Sequence, residues 1–246
     1  MEDALRKRDI PYRIYGGLSF YQRKEIKDIL AYLRILVNPK DEESLKRIIN
    51  YPPRGIGQTT VDKLVVASKH HDLPFFETIV KAKELQLPLN AGTLLKLSEF
   101  STLIQRFQIE NETLNAFEVT DLVTKKIGLV QELKKDATPE GIARIENIEE
   151  LLNGIRDFTD GQEELSDANG SLSEFLEDVA LATDLDKDDD PNSDRVALMT
   201  IHLAKGLEFP YVFIVGLEED LFPSAMSLNT RTELEEERRL FYVALT

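Results

Sequence analysis

The sequence contains no cysteine and no tryptophan, and it has only three histidines among 246 residues. The absence of cysteine excludes disulfides, thiolate metal sites and cysteine nucleophiles, and it fits the reducing cytoplasm best. Two of the histidines, His70 and His71, are adjacent, which leaves little from which to build a zinc site. We therefore expect no metal site within this chain.

Long apolar runs are also absent. No segment approaches the roughly 18 apolar residues that span a bilayer, and the opening MEDALRKRDIP lacks the apolar stretch of a secretory signal. At 42% hydrophobic and 30% charged residues, the chain still has enough apolar side chains for a core, and its length suits one large domain or two ordinary ones. These features predict a globular cytoplasmic protein with no membrane contact.

The net charge of −15 argues, as an average, against binding to nucleic acid, because polyanions are held by clusters of Lys and Arg. The charge is unevenly distributed. Residues 1–60 carry 12 basic and 8 acidic residues, a balance of +4, which leaves 18 against 37, or −19, for the remainder. The basic end is therefore the part in which a nucleic-acid site is expected.

Hydrophobic periodicity predicts strands near both ends of the chain and helices between them. Residues 12–15, 196–201 and 211–217 have the β-branched and aromatic content of short strands, the last two resembling buried parallel strands. A helix is predicted over 20–37, and another, RTELEEERRLFYVAL, follows a capping box of Thr230 and Glu233. The fold class is therefore mainly α with a small α/β part, in which a helical insertion interrupts one α/β unit.

One acidic segment overlaps the end of the predicted helices, which include SLSEFLEDVALAT at residues 171–183. Between Asp157 and Asp194 there are 14 acidic residues and one basic residue, Lys187, and the segment ends in DLDKDDDPNSD. We expect a solvated loop and linker here, because such a composition cannot form a core. Within it, Ser171 and Glu174 have the spacing of a capping box at the start of a helix.

Two short segments have the residue types of an anion-binding site. In the connection from Met199 to Pro210, Gly206 permits a close turn, Lys205 can neutralise a phosphate and Glu208 can accept hydrogen bonds from a sugar. The alternative is an ordinary strand connection with solvated Lys and Glu side chains. In the turn 51–57, Gly55 and Gly57 allow backbone N–H groups to approach a phosphate at the start of the following helix. The alternative there is a helix connection whose glycines serve only the turn.

Several segments together resemble the superfamily 1 DNA helicases of the UvrD, PcrA and Rep type. TIHLAKGLEFPYVFIVGLEEDLFP resembles motif V of that family, and EEERRLFYVALT resembles motif VI. Upstream, IPYRIYGGLSFYQRKEIKDILAYLRILVNP resembles the motif IV region, and PPRGIGQTTVDKL resembles the GIG hairpin. The four matches occur in the family's order and span both ends of the chain.

The resemblance implies a helical 2B-type insertion within an incomplete RecA-like parallel-sheet domain. Residues 1–40 and 191–246 would belong to the second RecA-like (2A) domain, and residues 41–190 would form the 2B subdomain, with the GIG hairpin and the acidic loop. The implied parent is an ATP-dependent 3′–5′ DNA helicase of repair or replication that uses ATP and Mg²⁺. Its implied partners are single-stranded and duplex DNA, with repair or transcription proteins as further candidates.

The resemblance also assigns roles to individual residues. Those matched to ATP binding are Gly206, Glu208 and Arg239, and those matched to the single strand are Thr200 and His202. The duplex is assigned to the hairpin, with Arg54, Gly55, Ile56, Gly57, Thr59 and Thr60.

For His202, and for Arg238 and Arg239, which match the double arginine of motif VI, a simpler explanation remains open. His202 can be a hydrogen-bonded residue at a strand end. Arg238 and Arg239 can be explained by salt bridges to Glu235 and Glu236 on their own helix. The sequence also departs from the family pattern at Leu203, where a small residue is usual, and at Ala244–Leu245, where Gly-Ile is usual. These departures affect local packing and remove none of the assigned contacts.

Two other functions stay open at this stage. One is a helicase-nuclease subunit of the AddA or RecB kind, which has a similar motif V. The other, from a different class, is a non-catalytic module in which the helical insertion binds duplex DNA or a protein partner.

We expect the purified 246-residue chain to show no DNA-stimulated ATP hydrolysis. It contains no GxxxxGK[ST] phosphate loop, it ends before the position of the motif VI arginine, and no catalytic set is complete in it. Measurable turnover by the purified chain, above that of a mock preparation, would contradict this expectation.

Overall fold

A computed structural model describes residues 4–5, 8, 10–15, 19–165, 170–185, 194–218, 222–223 and 231–245. The contacts divide the chain into two compact units. One, the terminal unit, combines residues 1–19 with 189–246, and the other, the helical unit, comprises residues 20–188. Most of the described residues are helical, so the predicted mainly α class is confirmed.

The helical unit begins with a 3₁₀ turn, Phe20–Gln22, and continues with nine helices within its described residues. They are α1 (Lys24–Val37), α2 (Glu42–Ile48), α3 (Gln58–His71), α4 (Phe75–Val80), α5 (Ala91–Asn111), α6 (Ala116–Ile127), α7 (Leu129–Leu133), α8 (Pro139–Leu165) and α9 (Leu172–Leu185).

Helix α1 lies at the centre of this unit. It contacts α2, α5, α6, α8 and α9, and ten of its 14 residues are buried. The periodicity predicts one apolar face, but Ala31, Tyr32 and Ile35 on other faces are buried as well. A helix that is surrounded in this way must find partners for every polar group it carries into the core.

The acidic side chains of α1 find those partners on neighbouring helices. Asp28 accepts a hydrogen bond of 2.6 Å from the Arg47 Nε, and Glu25 accepts one of 2.6 Å from the Asn147 amide. Burial raises the pKa of Asp28 even though Arg47 lies beside it, and the second carboxylate oxygen of Asp28 has no hydrogen-bond partner among the described residues. The pair therefore holds α2 against α1 with a desolvation cost that its ion pair only partly offsets.

The Tyr32 side chain links α1 to the turn that follows α2. Its hydroxyl donates to the Tyr51 carbonyl over 2.6 Å and accepts from the Arg54 Nη2 over 2.5 Å. The ring is fully buried, and burial raises the pKa of Tyr32 to about 12. The hydroxyl is thus neutral at physiological pH and remains available as a donor.

Helix caps fix several boundaries in the helical unit. The predicted capping box is confirmed: the Ser171 N–H donates to the Glu174 carboxylate over 2.8 Å, and the Glu174 N–H donates to the Ser171 Oγ over 3.3 Å. The Ser171 N–H and the Ser171 hydroxyl, which donates to the same carboxylate oxygen over 2.8 Å, lower the pKa of Glu174. A second box, formed by Asn115 and Glu118 at the start of α6, was not predicted.

The prediction of a solvated loop over 157–194 is wrong for most of that segment. Residues 157–165 complete α8, and residues 172–185 form α9, in which Leu172, Phe175 and Val179 are buried. These three side chains recur at helical spacing, so one stripe packs inward while the acidic residues stay outside. Residues 166–169 and 186–193 lie outside the described residues.

The terminal unit contains strands β1 (Tyr12–Ile14) and β2 (Val196–Leu198) and helices α10 (Ile201–Ala204) and α11 (Arg231–Leu245). The strands pair in parallel, with Tyr12 opposite Val196 and Ile14 opposite Leu198. Two segments far apart in sequence therefore form one ladder, and the helical unit is formed by the chain between them. The C-terminal helix is confirmed, whereas Thr230 and the Glu233 side chain, which were to cap it, lie outside the described residues.

The segment 211–217, predicted as a buried strand, is not a strand in the structure. It pairs with neither β1 nor β2, and the side chains of Tyr211 and Phe213 are 87% and 91% exposed. A strand requires a neighbour for its backbone hydrogen bonds, and the described residues of this unit supply none for it.

The helices and the unit boundary of the described residues bear on two of the predictions. None of their helices has the length and apolar composition needed to cross a bilayer. The contacts also place residues 20–37, which fell within the expected segment 1–40, with the helical unit. The assignment of both units to 2A and 2B stays a prediction.

We expect Tyr32→Phe to lower the free energy of unfolding by about 1–3 kcal/mol, because the Tyr51 carbonyl loses a donor and the Arg54 guanidinium loses an acceptor. Urea denaturation followed by circular dichroism measures this change. Tyr51→Phe is the matched control, since the Tyr51 hydroxyl makes no hydrogen bond with any described residue, and it should change stability by less than about 0.5 kcal/mol. Equal losses in the two variants would contradict the role given to Tyr32.

Candidate nucleic-acid and nucleotide sites

The predicted GIG hairpin lies between α2 and α3, and the Asn50 side chain binds its backbone at two points. The Asn50 Oδ1 accepts from the Arg54 N–H over 3.0 Å and from the Ile56 N–H over 2.9 Å. Ile56 is 1% exposed and anchors the hairpin in the core. Gly55 has φ +69°, a conformation that disfavours other residues. The hairpin is thus a shaped loop, and its flanking glycines remain at the surface.

The Arg54 side chain points into the helical unit. Its guanidinium donates to the Ile48 carbonyl over 2.9 Å and to the Pro52 carbonyl over 3.3 Å, in addition to Tyr32. It also lies 5.3 Å from the centre of the Phe100 ring. The predicted phosphate contact of Arg54 stays a prediction, but the observed geometry commits most of its donors to holding the hairpin.

Helix α3 begins immediately after the hairpin. Gly57 occupies the N-cap position with extended backbone angles, φ −78° and ψ 168°, and no side chain caps the helix there. The helix starts at Gln58, so Thr59 lies in its first turn and is exposed. No described residue accepts from the N–H groups of Gln58 or Thr59. These groups are oriented as donors for an anion.

Lys96 is a residue at this site that sequence reasoning missed. It lies on α5, and its Nζ donates to the Gly55 carbonyl over 3.3 Å. The two residues are 41 positions apart, and nothing in the local sequence of either one indicates the contact. Only the tertiary structure, in which α5 packs against α1 and α4, reveals it.

The second candidate site is the segment 200–208 of the terminal unit, which comprises α10 and the loop after it. Thr200 is the N-cap residue of α10 and makes no side-chain capping bond, and His202 is exposed and hydrogen-bonds to no described residue. Gly206 has φ +84°, with open space where a side chain would lie, and Glu208 is exposed. The predicted residues therefore follow one another along an open surface loop.

The arginines of α11 are engaged on their own helix. Arg238 and Arg239 lie 2.8 Å and 2.9 Å from the carboxylates of Glu235 and Glu236, as the simpler explanation anticipated. All four side chains are at the surface, so these pairs contribute little to stability. Helix α10 contacts α11, so the fold brings the loop residues and the arginine helix together within the terminal unit. The role of Arg239 towards ATP stays a prediction.

Within the part of the chain that the structure describes, no three His, Asp or Glu side chains are placed to hold an ion.

The fold and these two loops define a class of protein. It is a mainly helical protein with a parallel two-strand ladder, in which a glycine hairpin precedes a helix and a segment containing Lys205 and Gly206 follows a strand. Comparison with known families narrows this class: the chain matches the UvrD-like helicase C-terminal domain over residues 1–246. The chain belongs to this family.

Curated relatives agree with the family match. The chain is 41% identical over 249 residues to DNA helicase II of Haemophilus influenzae and 39% identical over 251 residues to the ATP-dependent DNA helicase PcrA of Bacillus subtilis. It is 40% identical over 248 residues to PcrA of Staphylococcus aureus. Each alignment covers 100% of this chain and 33% of the relative, so the chain spans about a third of the length of these proteins.

We expect Asn50→Ala to loosen the hairpin without unfolding the helical unit. Two backbone donors would lose their acceptor, so the amide protons of Arg54 and Ile56 should exchange with solvent about tenfold to a hundredfold faster, at a cost of about 1–3 kcal/mol. Hydrogen exchange measured by NMR reports these two amides individually. Asn50→Asp keeps the acceptor and should retain protection, whereas unchanged exchange in Asn50→Ala would contradict the role of Asn50.

Proposed function

We propose that this chain is the C-terminal region of an ATP-dependent DNA helicase that moves 3′ to 5′ along one strand. The observation that carries the proposal is the match of the whole chain to the UvrD-like family at about 40% identity to proteins named DNA helicase II and PcrA. In this proposal, the β1–β2 ladder belongs to the second RecA-like (2A) domain, and the helical unit is the 2B subdomain.

The hairpin and the start of α3 would hold the duplex. Gly57 leaves the first turn of α3 uncapped, so the N–H groups of Gln58 and Thr59 face outward at the positive end of a 14-residue helix. The hydroxyls of Thr59 and Thr60 lie in the same turn. Such donors contact phosphate oxygens without reading bases, which suits an enzyme that must unwind any sequence.

Within this site, we assign Arg54 to the internal side of the hairpin. Three acceptors and two aromatic rings surround its guanidinium, so its charge fixes the loop on which Gly55, Ile56 and Gly57 are displayed. A phosphate contact by Arg54 would have to use the donors that remain.

The loop of the terminal unit would meet nucleotide and single-stranded DNA. Glu208 can accept hydrogen bonds from a ribose hydroxyl, and the positive φ of Gly206 turns the backbone ahead of it. Thr200, exposed at the start of α10, and His202, exposed on that helix, would face the single strand. ATP with Mg²⁺ would bind in the whole protein, where other segments complete the site, and the chain alone would bind DNA without hydrolysing ATP.

The test of the duplex site is Gly57→Asp. An aspartate is a favourable N-cap residue and Gly57 already has extended backbone angles with open space around its Cβ position, so the fold should tolerate the change. Its carboxylate would occupy the free N–H groups and repel phosphate. We expect affinity for blunt duplex to fall about tenfold or more, measured by fluorescence anisotropy.

Gly57→Ala is the matched control, because it adds a Cβ and leaves the N–H groups free. It should bind duplex within about twofold of the unmodified chain. Equal affinity of the aspartate and alanine variants would remove the hairpin from the proposed function, and affinity that does not change with salt would argue against phosphate contacts altogether.

A further inference from the structure

The Lys96 side chain supplies a cation at the hairpin that the hairpin's own sequence does not. Its Nζ is 3.3 Å from the Gly55 carbonyl, and a Cβ placed on Gly55 would lie only 2.5 Å from that nitrogen. The ammonium group therefore lies directly over the first glycine of the hairpin, on the surface of the helical unit.

This ammonium group has donors to spare. A lysine carries three N–H donors, and the Gly55 carbonyl accepts from one of them. No described carboxylate lies within ion-pair distance of Lys96, whereas Lys46, Lys81, Lys125 and Lys135 each pair with an acidic residue three or four positions earlier in the chain. The charge of Lys96 is thus not neutralised by any described residue.

Lys96 and Arg54 both lie at the hairpin but differ in exposure. Arg54 is half-buried, with its guanidinium shared among three internal acceptors. Lys96 is exposed, and its single bond to a carbonyl leaves the charge facing outward. Arg54, which belongs to the hairpin, stabilises the fold, and Lys96, which belongs to α5, is the cation that a ligand can reach.

We propose that Lys96 contacts a phosphate of the duplex bound by the hairpin, so that the duplex site is built from two chain segments 41 residues apart. The inference rests on the proposed duplex contact of the hairpin. An ammonium group is a compact point charge that suits a phosphate, and it extends the row of donors formed by the start of α3.

The test compares the whole 246-residue chain with Lys96→Gln, Lys96→Arg and Lys69→Gln, using a short blunt-ended duplex in salt from about 50 mM to about 200 mM. Lys69 is the matched control, because it is exposed near the far end of α3, about 16 Å along the helix from its start. Thermal melting of each variant checks that the fold is retained.

Loss of one phosphate contact reduces the slope of log K against log salt by about 0.9, which corresponds to about 3.5-fold in affinity over this roughly fourfold range of salt. We expect this reduction in Lys96→Gln, with retention of the slope in Lys96→Arg and in Lys69→Gln. A structural role for Lys96 would instead lower the melting temperature and leave the slope unchanged.

The outcomes separate this inference from the proposed function. If Gly57→Asp weakens duplex binding and Lys96→Gln behaves like Lys69→Gln, the hairpin binds duplex and the inference about Lys96 is wrong. If the unmodified chain shows no measurable binding to the duplex, the proposed duplex site is wrong and the inference about Lys96 is overturned with it.

Discussion

The hydrogen bonds of the buried Tyr32 hydroxyl connect the core of the helical unit to its surface. Helix α1 is enclosed by five other helices, so a polar group on it must be satisfied inside the protein. Tyr32 meets this requirement through the Tyr51 carbonyl and the Arg54 guanidinium, both of which belong to the turn that leads into the hairpin. The position of the exposed loop is therefore set by the packing of the most buried helix.

This connection explains how the hairpin can display its glycines at the surface and still keep one shape. Asn50 gathers two backbone N–H groups, Ile56 fills the core, and Arg54 ties three acceptors together beneath the turn. A preformed loop loses less conformational freedom on binding, which would strengthen the proposed contact with the duplex. The net charge of −15 does not oppose such a site, because phosphate responds to the local donors and charges.

Particular elements show how far the sequence could be interpreted. The strands β1 and β2, the capping box of Ser171 and the C-terminal helix follow from residue types at short spacing and were predicted, although β2 ends at Leu198 and Ile201 begins a helix. The expectation of a loop over 157–194 was wrong for most of that segment, because it gave the acidic composition more weight than the helical stripe of Leu172, Phe175 and Val179. The segment 211–217 has the composition of a strand, but pairing depends on a neighbour and not on composition.

By itself, the sequence determined the helix periods, the turn at Gly55 and Gly57, and the ordered motifs that place the chain in its family, because each of these depends on residues close together in the chain. The tertiary structure decided which cationic side chain is half-buried beneath the hairpin and which one is exposed beside it. Arg54, next to the glycines in sequence, turned inward because the buried Tyr32 hydroxyl and the Ile48 carbonyl required donors. Lys96, distant in sequence, reached the hairpin because α5 packs beside it, and no local pattern encodes that contact.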